Sequence, residues 1–182
     1  MSTDVNRIAA ITWLAEHAEG FGRTALMKYC YFLQVIGRVP LGYHFSLYSY
    51  GPFDSEVLSD LDSAEAMGGV ETSVEYYPRG YGYKIQRGVR ADRVKSLGGS
   101  FLEQYAAEFD RVTAEFRGWN ASELEIASTL VYSDREAARK RENVNLHEIS
   151  RRVRDLKPRY GIEQIQVYAE RLHRLGFLQA VN

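Results

Sequence analysis

The sequence predicts a mainly α-helical protein that carries one small β-hairpin. Apolar residues recur every three or four positions through most of the chain, which is the spacing of helices with one buried face. Between residues 70 and 87 the pattern changes to alternation, and Pro78, Gly80 and Gly82 interrupt it where two strands would turn. The 45% hydrophobic content is enough to build a core around these elements.

The first ninety residues predict three helices, a short strand and the hairpin. We expect helices over 4–18, 24–37 and 54–67, the last opened by Asp54 or Ser55. The strand is the alternating stretch HFSLYSY, and Tyr50-Gly51-Pro52 is expected to turn the chain into the third helix. This order is typical of a winged helix, so we predict a winged-helix-like domain over 1–90.

The second half predicts a helical domain over 91–182 on which the first half packs. Helices are expected over 100–117, 122–138, 145–156 and 162–175, with capping boxes at Ser122/Glu125 and Asn145/Glu148. The first of them carries a broad aromatic face formed by Phe101, Tyr105, Phe109 and Phe116. A soluble monomer rarely exposes such a face, so we expect internal packing, with a homodimer as the alternative.

Composition and charge limit the location of the protein. The single cysteine, Cys30, excludes an intrachain disulfide and fits a reducing compartment. We identify no signal peptide and no apolar run long enough to span a bilayer, which predicts a cytoplasmic protein without a membrane partner. The net charge of −1 creates no overall field toward nucleic acid.

Short motifs in both halves resemble a known family. They are Lys28-x-x-Tyr31, then Tyr50-Gly51-Pro52, then Lys157-Pro158 near the last helix. The pattern resembles the YwgA-like proteins of bacteria and archaea and, more distantly and only in the first half, the phage-associated Panacea (SocA-like) antitoxin domain. The resemblance implies a winged-helix-like fold without known catalytic residues, and an antitoxin or adaptor that binds a toxin or a regulatory target.

The third helix is acidic where a DNA-reading helix would be basic. Five acids and no Lys or Arg lie between 54 and 66. Carboxylates would face the phosphates without releasing counterions, so this helix is a poor base-reading element. We therefore predict a contact with a protein partner, made by Tyr48, Tyr50, Asp54, Glu56, Asp60 and Asp62.

Two basic regions support the alternative of nucleic-acid binding. Basic and aromatic residues alternate in the hairpin, a composition that suits phosphates and stacked bases. Residues 135–159 contain nine basic and four acidic side chains. The residues assigned to this alternative are Arg79, Tyr81, Lys84 and Arg87 in the hairpin and Arg151, Arg152, Lys157 and Arg159 in the C-terminal region.

Motifs typical of enzymes do not occur in the sequence. The four histidines are scattered, and HExxH, GxSxG and P-loop patterns are absent. We therefore predict no catalytic residues, metal or cofactor. The predicted function is a non-catalytic interaction module, a regulator, antitoxin or adaptor that could serve phage or mobile-element defence; the alternative is a DNA-binding transcriptional regulator.

Overall fold

A computed structural model gives the structure of the chain and describes residues 3–18, 21–78 and 80–181. It is mainly helical with two small two-stranded sheets, so the predicted fold class, mainly α with a small β-hairpin, is confirmed. The helices are α1 (Thr3–His17), α2 (Arg23–Val35), α3 (Ser55–Ala66), α4 (Ala91–Leu97), α5 (Gly99–Gln104), α6 (Ala106–Phe116), α7 (Ala121–Arg139), α8 (Leu146–Leu156) and α9 (Ile162–Arg174). The strands are β1 (Ser46–Tyr48), β2 (Gly51–Phe53), β3 (Val70–Tyr77) and β4 (Gly80–Arg87).

The chain forms two compact units whose limits differ from the predicted domains. Unit 1 comprises Met1–Ser46 and Phe53–Trp119, and unit 2 comprises Leu47–Pro52 and Asn120–Asn182. The predicted boundary near residue 90 lies inside unit 1, because α4 and α5 pack on α1 and α6 packs on α2. Gly98, close to the predicted boundary, packs tightly within unit 1, since a Cβ at this position would lie 2.7 Å from the Cβ of Ala9.

The aromatic face predicted on one long helix is divided between α5 and α6. The helix breaks at Tyr105, so the expected continuous helix over 100–117 is wrong in its length. The prediction of internal packing is correct for three of the four aromatic residues. Phe101, Phe109 and Phe116 are buried, and the Phe116 ring stacks on Phe32 of α2 at 4.0 Å.

Apolar residues at helical spacing on α2 contribute to the core of unit 1. Leu26, Tyr29, Cys30 and Leu33 of α2 are all buried. The Tyr29 hydroxyl donates to the Phe116 carbonyl oxygen at 3.0 Å, and burial raises the pKa of Tyr29 to about 12. Cys30 is 1% exposed, so it is a packed side chain, and this burial raises the pKa of its thiol.

The hairpin predicted between 70 and 87 is present as β3 and β4. The strands pair antiparallel, with Val70 opposite Arg87 and Tyr77 opposite Gly80. Its base joins the helical core, since Val70 and Ile85 are buried. Arg79, which the sequence analysis assigned to nucleic-acid binding, lies outside the described residues.

The sequence predicted that Tyr50-Gly51-Pro52 would lead directly into a helix, but a short strand comes first. Gly51 follows the turn between β1 and β2 with a φ of +93°, a conformation that favours glycine. Gly51 and Pro52 then belong to β2, and α3 begins later with Asp54 as its N-cap. Asp54 is one of the two capping residues that the sequence allowed.

Unit 2 contains α7, α8 and α9 together with the turn of the β1–β2 hairpin. The capping box of α7 is formed by Asn120 and Glu123 and not by Ser122 and Glu125. This shift is important because it leaves Glu125 to point into the unit, where it is 2% exposed. Asn145 caps α8 by accepting from the Glu148 amide, which is the first half of the predicted capping box, whereas the Glu148 carboxylate accepts from Arg152.

Candidate functional site

The acidic helix presents fewer carboxylates to solvent than its sequence suggests. Asp60 is 6% exposed, and its carboxylate lies 2.8 Å from the Arg7 guanidinium of α1. The Tyr43 hydroxyl donates to the same carboxylate at 2.8 Å. Burial raises the pKa of Asp60, while the Tyr43 hydrogen bond and the Arg7 charge act in the opposite direction. Asp60 is therefore a buried structural group, and its assignment to a partner-binding surface is corrected.

Two further acids of this helix also have structural contacts. Asp54 accepts from the Glu56 amide at 2.9 Å and from the His44 amide at 2.6 Å, which fixes the start of α3. Glu56 is partly exposed and lies 3.1 Å from Arg7. Asp62 is exposed on the outer face. Four acids were predicted to meet a partner. Among these four, Asp62 is exposed and makes none of the structural contacts described above.

The predicted tyrosines Tyr48 and Tyr50 flank the turn between β1 and β2. Both are exposed, at 62% and 63%. Lys157 holds this turn, because its ammonium group donates to the Tyr48 carbonyl oxygen at 3.2 Å and to that of Ser49. The Arg159 guanidinium lies 5.2 Å from the centre of the Tyr50 ring. Two motifs that are distant in sequence thus meet in unit 2.

Lys157 does not lie on a nucleic-acid-binding surface. It is 4% exposed, and its ammonium group lies 3.2 Å from the carboxylate of Glu125. Arg159 pairs with the same carboxylate from a half-exposed position, and the Tyr160 hydroxyl donates to it at 3.2 Å. Lys157 is therefore corrected from a phosphate-binding residue to half of a buried ion pair, which the sequence could not reveal because its partner is 32 positions away.

Most of the other cations assigned to nucleic acid are paired with carboxylates. Arg87 lies 3.1 Å from Glu16 and 2.6 Å from Asp92. Arg152 lies 2.6 Å from both Glu142 and Glu148. The remaining assigned residues are Lys84, which is 3.9 Å from Glu75, and the exposed Arg151 and Tyr81. These pairs neutralise much of the charge that the basic regions show in sequence.

One face of the hairpin is mainly aromatic and apolar, and the other is mainly polar apart from Tyr77. Cross-strand pairing places Val74 with Tyr83 and Tyr76 with Tyr81 on one face, which the Thr72–Ile85 pair continues into the core. Near its base, the Arg23 guanidinium covers the Tyr83 ring at 3.7 Å. Farther out the face is open: Tyr76 is 84% exposed, Tyr81 65% and Val74 46%.

The opposite face of the hairpin is polar. It carries Glu71, Ser73 and Glu75 on β3, with Lys84 and Gln86 across the ladder on β4. Alternation along each strand predicts which hairpin residues share a face, whereas the extent to which the helical core covers each face required the structure.

The described residues contain no group of three or more His, Cys, Asp or Glu side chains arranged to hold a metal ion. No helix in the described ranges is both long and apolar enough to cross a membrane. Lys28 and Tyr31, which contribute to the family resemblance, are both buried in α2.

Comparison of the chain with protein-family models, with curated proteins and with solved structures found no match in any of the three.

Proposed function

We propose that this chain is a non-catalytic interaction module that binds a protein partner through the outer surface of β3 and α3. The observation that carries the proposal is the open aromatic face of the hairpin. Tyr76 and Tyr81 form a cross-strand pair, and each exposes well over half of its surface. Tyrosines are enriched where protein interfaces bind tightly, since each buries a large apolar area at a small entropic cost.

The charge around this face favours a basic partner. Residues 39–78 contain seven acids and no Lys or Arg. Asp62, Glu65 and Glu71 are exposed, and Glu65 lies beside β3 because its carboxylate accepts from the Thr72 amide at 2.9 Å. A negative patch next to an aromatic one steers a positively charged partner toward its binding site.

The family resemblance fits the same proposal. An antitoxin or adaptor of the Panacea type would bind a toxin or a regulatory target, and such a partner is a protein. In this proposal the aromatic residues supply most of the binding energy and the acids select a basic surface. The chain would therefore act by occupying its partner and not by chemical catalysis.

DNA binding is the alternative, and the ion pairs weigh against it. Arg87 and Arg152 each contact two carboxylates, and Lys157 is buried against Glu125. Neutralised cations release few counterions from DNA, so they contribute little affinity. A gel shift on random duplex at low salt tests this alternative, because a shift that weakens steeply with salt would favour it.

A capture experiment with matched variants tests the protein partner. The immobilised protein is incubated with extract of its native host, alongside a Tyr76→Ser/Tyr81→Ser variant and a Tyr77→Ser control. Tyr77 is 56% exposed but lies on the polar face, where its hydroxyl donates to Glu75 at 2.7 Å. We expect a basic protein to be retained by the wild type and the control and lost from the double variant. Equal retention by all three would contradict the proposal.

A further inference from the structure

The outer edge of β3 carries backbone groups that point away from β4. Thr72 and Ile85 are cross-strand partners, and the amides of both residues donate to acceptors outside the ladder. The Thr72 amide donates to the Glu65 carboxylate at 2.9 Å, and the Ile85 amide donates to the Phe21 carbonyl oxygen at 2.7 Å. In an antiparallel ladder, amides that point away from the partner strand belong to a non-hydrogen-bonded pair. The N–H and C=O groups of Thr72 and Ile85 therefore all face outward.

The same orientation repeats at every second residue toward the tip. The Val74–Tyr83 and Tyr76–Tyr81 pairs therefore also direct their backbone groups outward. The outer edge of β4 is covered by the chain at Phe21 and Gly22. A Cβ on Gly22 would lie only 2.5 Å from the carbonyl oxygen of Tyr83 in β4.

The edge of β3 is not covered in this way. Beyond the Thr72–Glu65 hydrogen bond, no backbone hydrogen bond from another described segment reaches Val74 or Tyr76. An uncovered edge strand is a ready template for pairing with another chain. The two positions that offer outward N–H and C=O groups are also those whose side chains lie on the aromatic face.

We propose that β3 binds an extended, basic segment of the partner protein as a third strand of the hairpin sheet. This inference rests on the proposed function and specifies its binding mode. Main-chain hydrogen bonds to Val74 and Tyr76 would supply affinity, as in other cases of β-strand addition. Alternate side chains of the segment would then meet the two faces of the hairpin.

The two faces define the chemistry of the segment. Its side chains on one face pack on Val74, Tyr76 and Tyr81, so they are apolar. Those on the other face meet Glu71 and Glu75, so they are Lys or Arg. A second copy of this chain would instead bring an equally acidic strand against β3, which like-charge repulsion disfavours.

A synthetic probe tests strand addition directly. The probe is a fluorescein-labelled octapeptide of alternating Lys and Val, measured by fluorescence anisotropy at low salt. Its controls are the matching Glu–Val peptide and a Lys–Val peptide N-methylated on the alternate amides that would pair with β3. We expect both controls to bind at least tenfold more weakly. Equal binding of the methylated peptide, or no binding of Lys–Val, would overturn the inference.

A pair of variants at one position separates backbone from side chain. Val74→Pro removes the outward N–H, which an edge strand tolerates because that group is not in the ladder. Val74→Thr keeps the N–H and changes only the side chain. We expect Val74→Pro to raise the dissociation constant of the Lys–Val probe at least tenfold and Val74→Thr less than threefold. Equal affinities of the two variants would contradict strand addition.

Amide hydrogen exchange of the wild type provides a test that needs no variant. Binding of the Lys–Val probe should slow exchange at Val74 and Tyr76 at least tenfold, and should change Thr72 less because Glu65 already holds its amide. Unchanged exchange at Val74 and Tyr76 in the presence of saturating probe would refute the pairing.

The outcomes distinguish this inference from the proposed function. Loss of the captured partner in Tyr76→Ser/Tyr81→Ser, with equal capture by Val74→Pro and Val74→Thr, would leave the interaction module intact and refute strand addition. Capture unaffected by any of these changes would refute both. A wild-type dimer that Val74→Pro converts to a monomer would assign the edge to a second copy and overturn the inference.

Discussion

Replacement of Glu125 by Gln should strongly destabilise unit 2. The Lys157 ammonium group is 3.2 Å from the Glu125 carboxylate, and the two side chains are 5% and 3% exposed. Glu125→Gln leaves this buried cation with neutral acceptors only, namely the carbonyl oxygens of the β1–β2 turn and the amide oxygen of the new side chain. Removal of one partner of a buried ion pair costs about 3–5 kcal/mol, because the other charge stays out of water without compensation.

The assay is urea unfolding followed by far-UV circular dichroism. With an m value of about 2 kcal/mol/M, the expected loss lowers the midpoint of the affected transition by about 2 M. Tryptophan fluorescence supplies an internal reference, since both tryptophans, Trp13 and Trp119, lie in unit 1. It reports the unfolding of unit 1 while circular dichroism follows the helices of both units.

Two matched variants test the cause. Arg159→Gln removes the half-exposed partner of the same carboxylate and should cost about 0–1 kcal/mol, as exposed pairs do. Glu125→Leu/Lys157→Met replaces both buried charges and should recover most of the loss. The reasoning would be refuted if Glu125→Gln stayed within 1 kcal/mol of the wild type, or if Arg159→Gln were equally damaging.

Three further predictions concern single contacts. Asn120→Ala should destabilise the protein by about 1 kcal/mol in urea unfolding, because Asn120 caps α7, whereas Ser122→Ala should have little effect. Tyr29→Phe should cost about 1 kcal/mol by removing a buried hydrogen bond, and spectrophotometric titration of the variant should lack an ionisation near pH 12 that the wild type shows. A hydrogen bond from Lys95 lowers the pKa of Glu16, so the stability advantage of the wild type over Glu16→Gln should be present above the usual glutamate pKa and lost as the pH falls through the lowered value.

Each of these three predictions would be contradicted by a specific result. Equal effects of Asn120→Ala and Ser122→Ala would place the helix start where the sequence alone had suggested. An alkaline titration in which Tyr29→Phe loses no ionisation near pH 12 would contradict the raised pKa assigned to the Tyr29 hydroxyl. A wild-type advantage over Glu16→Gln that grows as the pH falls would reverse the assigned direction of the pKa shift.

Local patterns were sufficient to predict most elements of the fold. The stripe on α2 is buried as its spacing indicated, and the alternation from 70 to 87 forms β3 and β4. Helix periodicity and strand alternation act over a few residues, so they can be recognised in the sequence. The sequence also predicted that the aromatic face of α5 and α6 would pack internally, although it did not show that Tyr105 divides the helix.

The sequence determined which residues are acidic, basic and aromatic, and the tertiary structure decided which of them reach solvent. Asp60 is buried because Arg7, 53 positions earlier, meets its carboxylate; Lys157 is buried because Glu125 meets its ammonium group. The same long-range packing leaves Tyr76 open while Ile85, on the same face of the hairpin, is covered. The physical reason is that a charge or an apolar face is stabilised by whatever folding brings against it, and that partner is set by the fold and not by proximity in the chain.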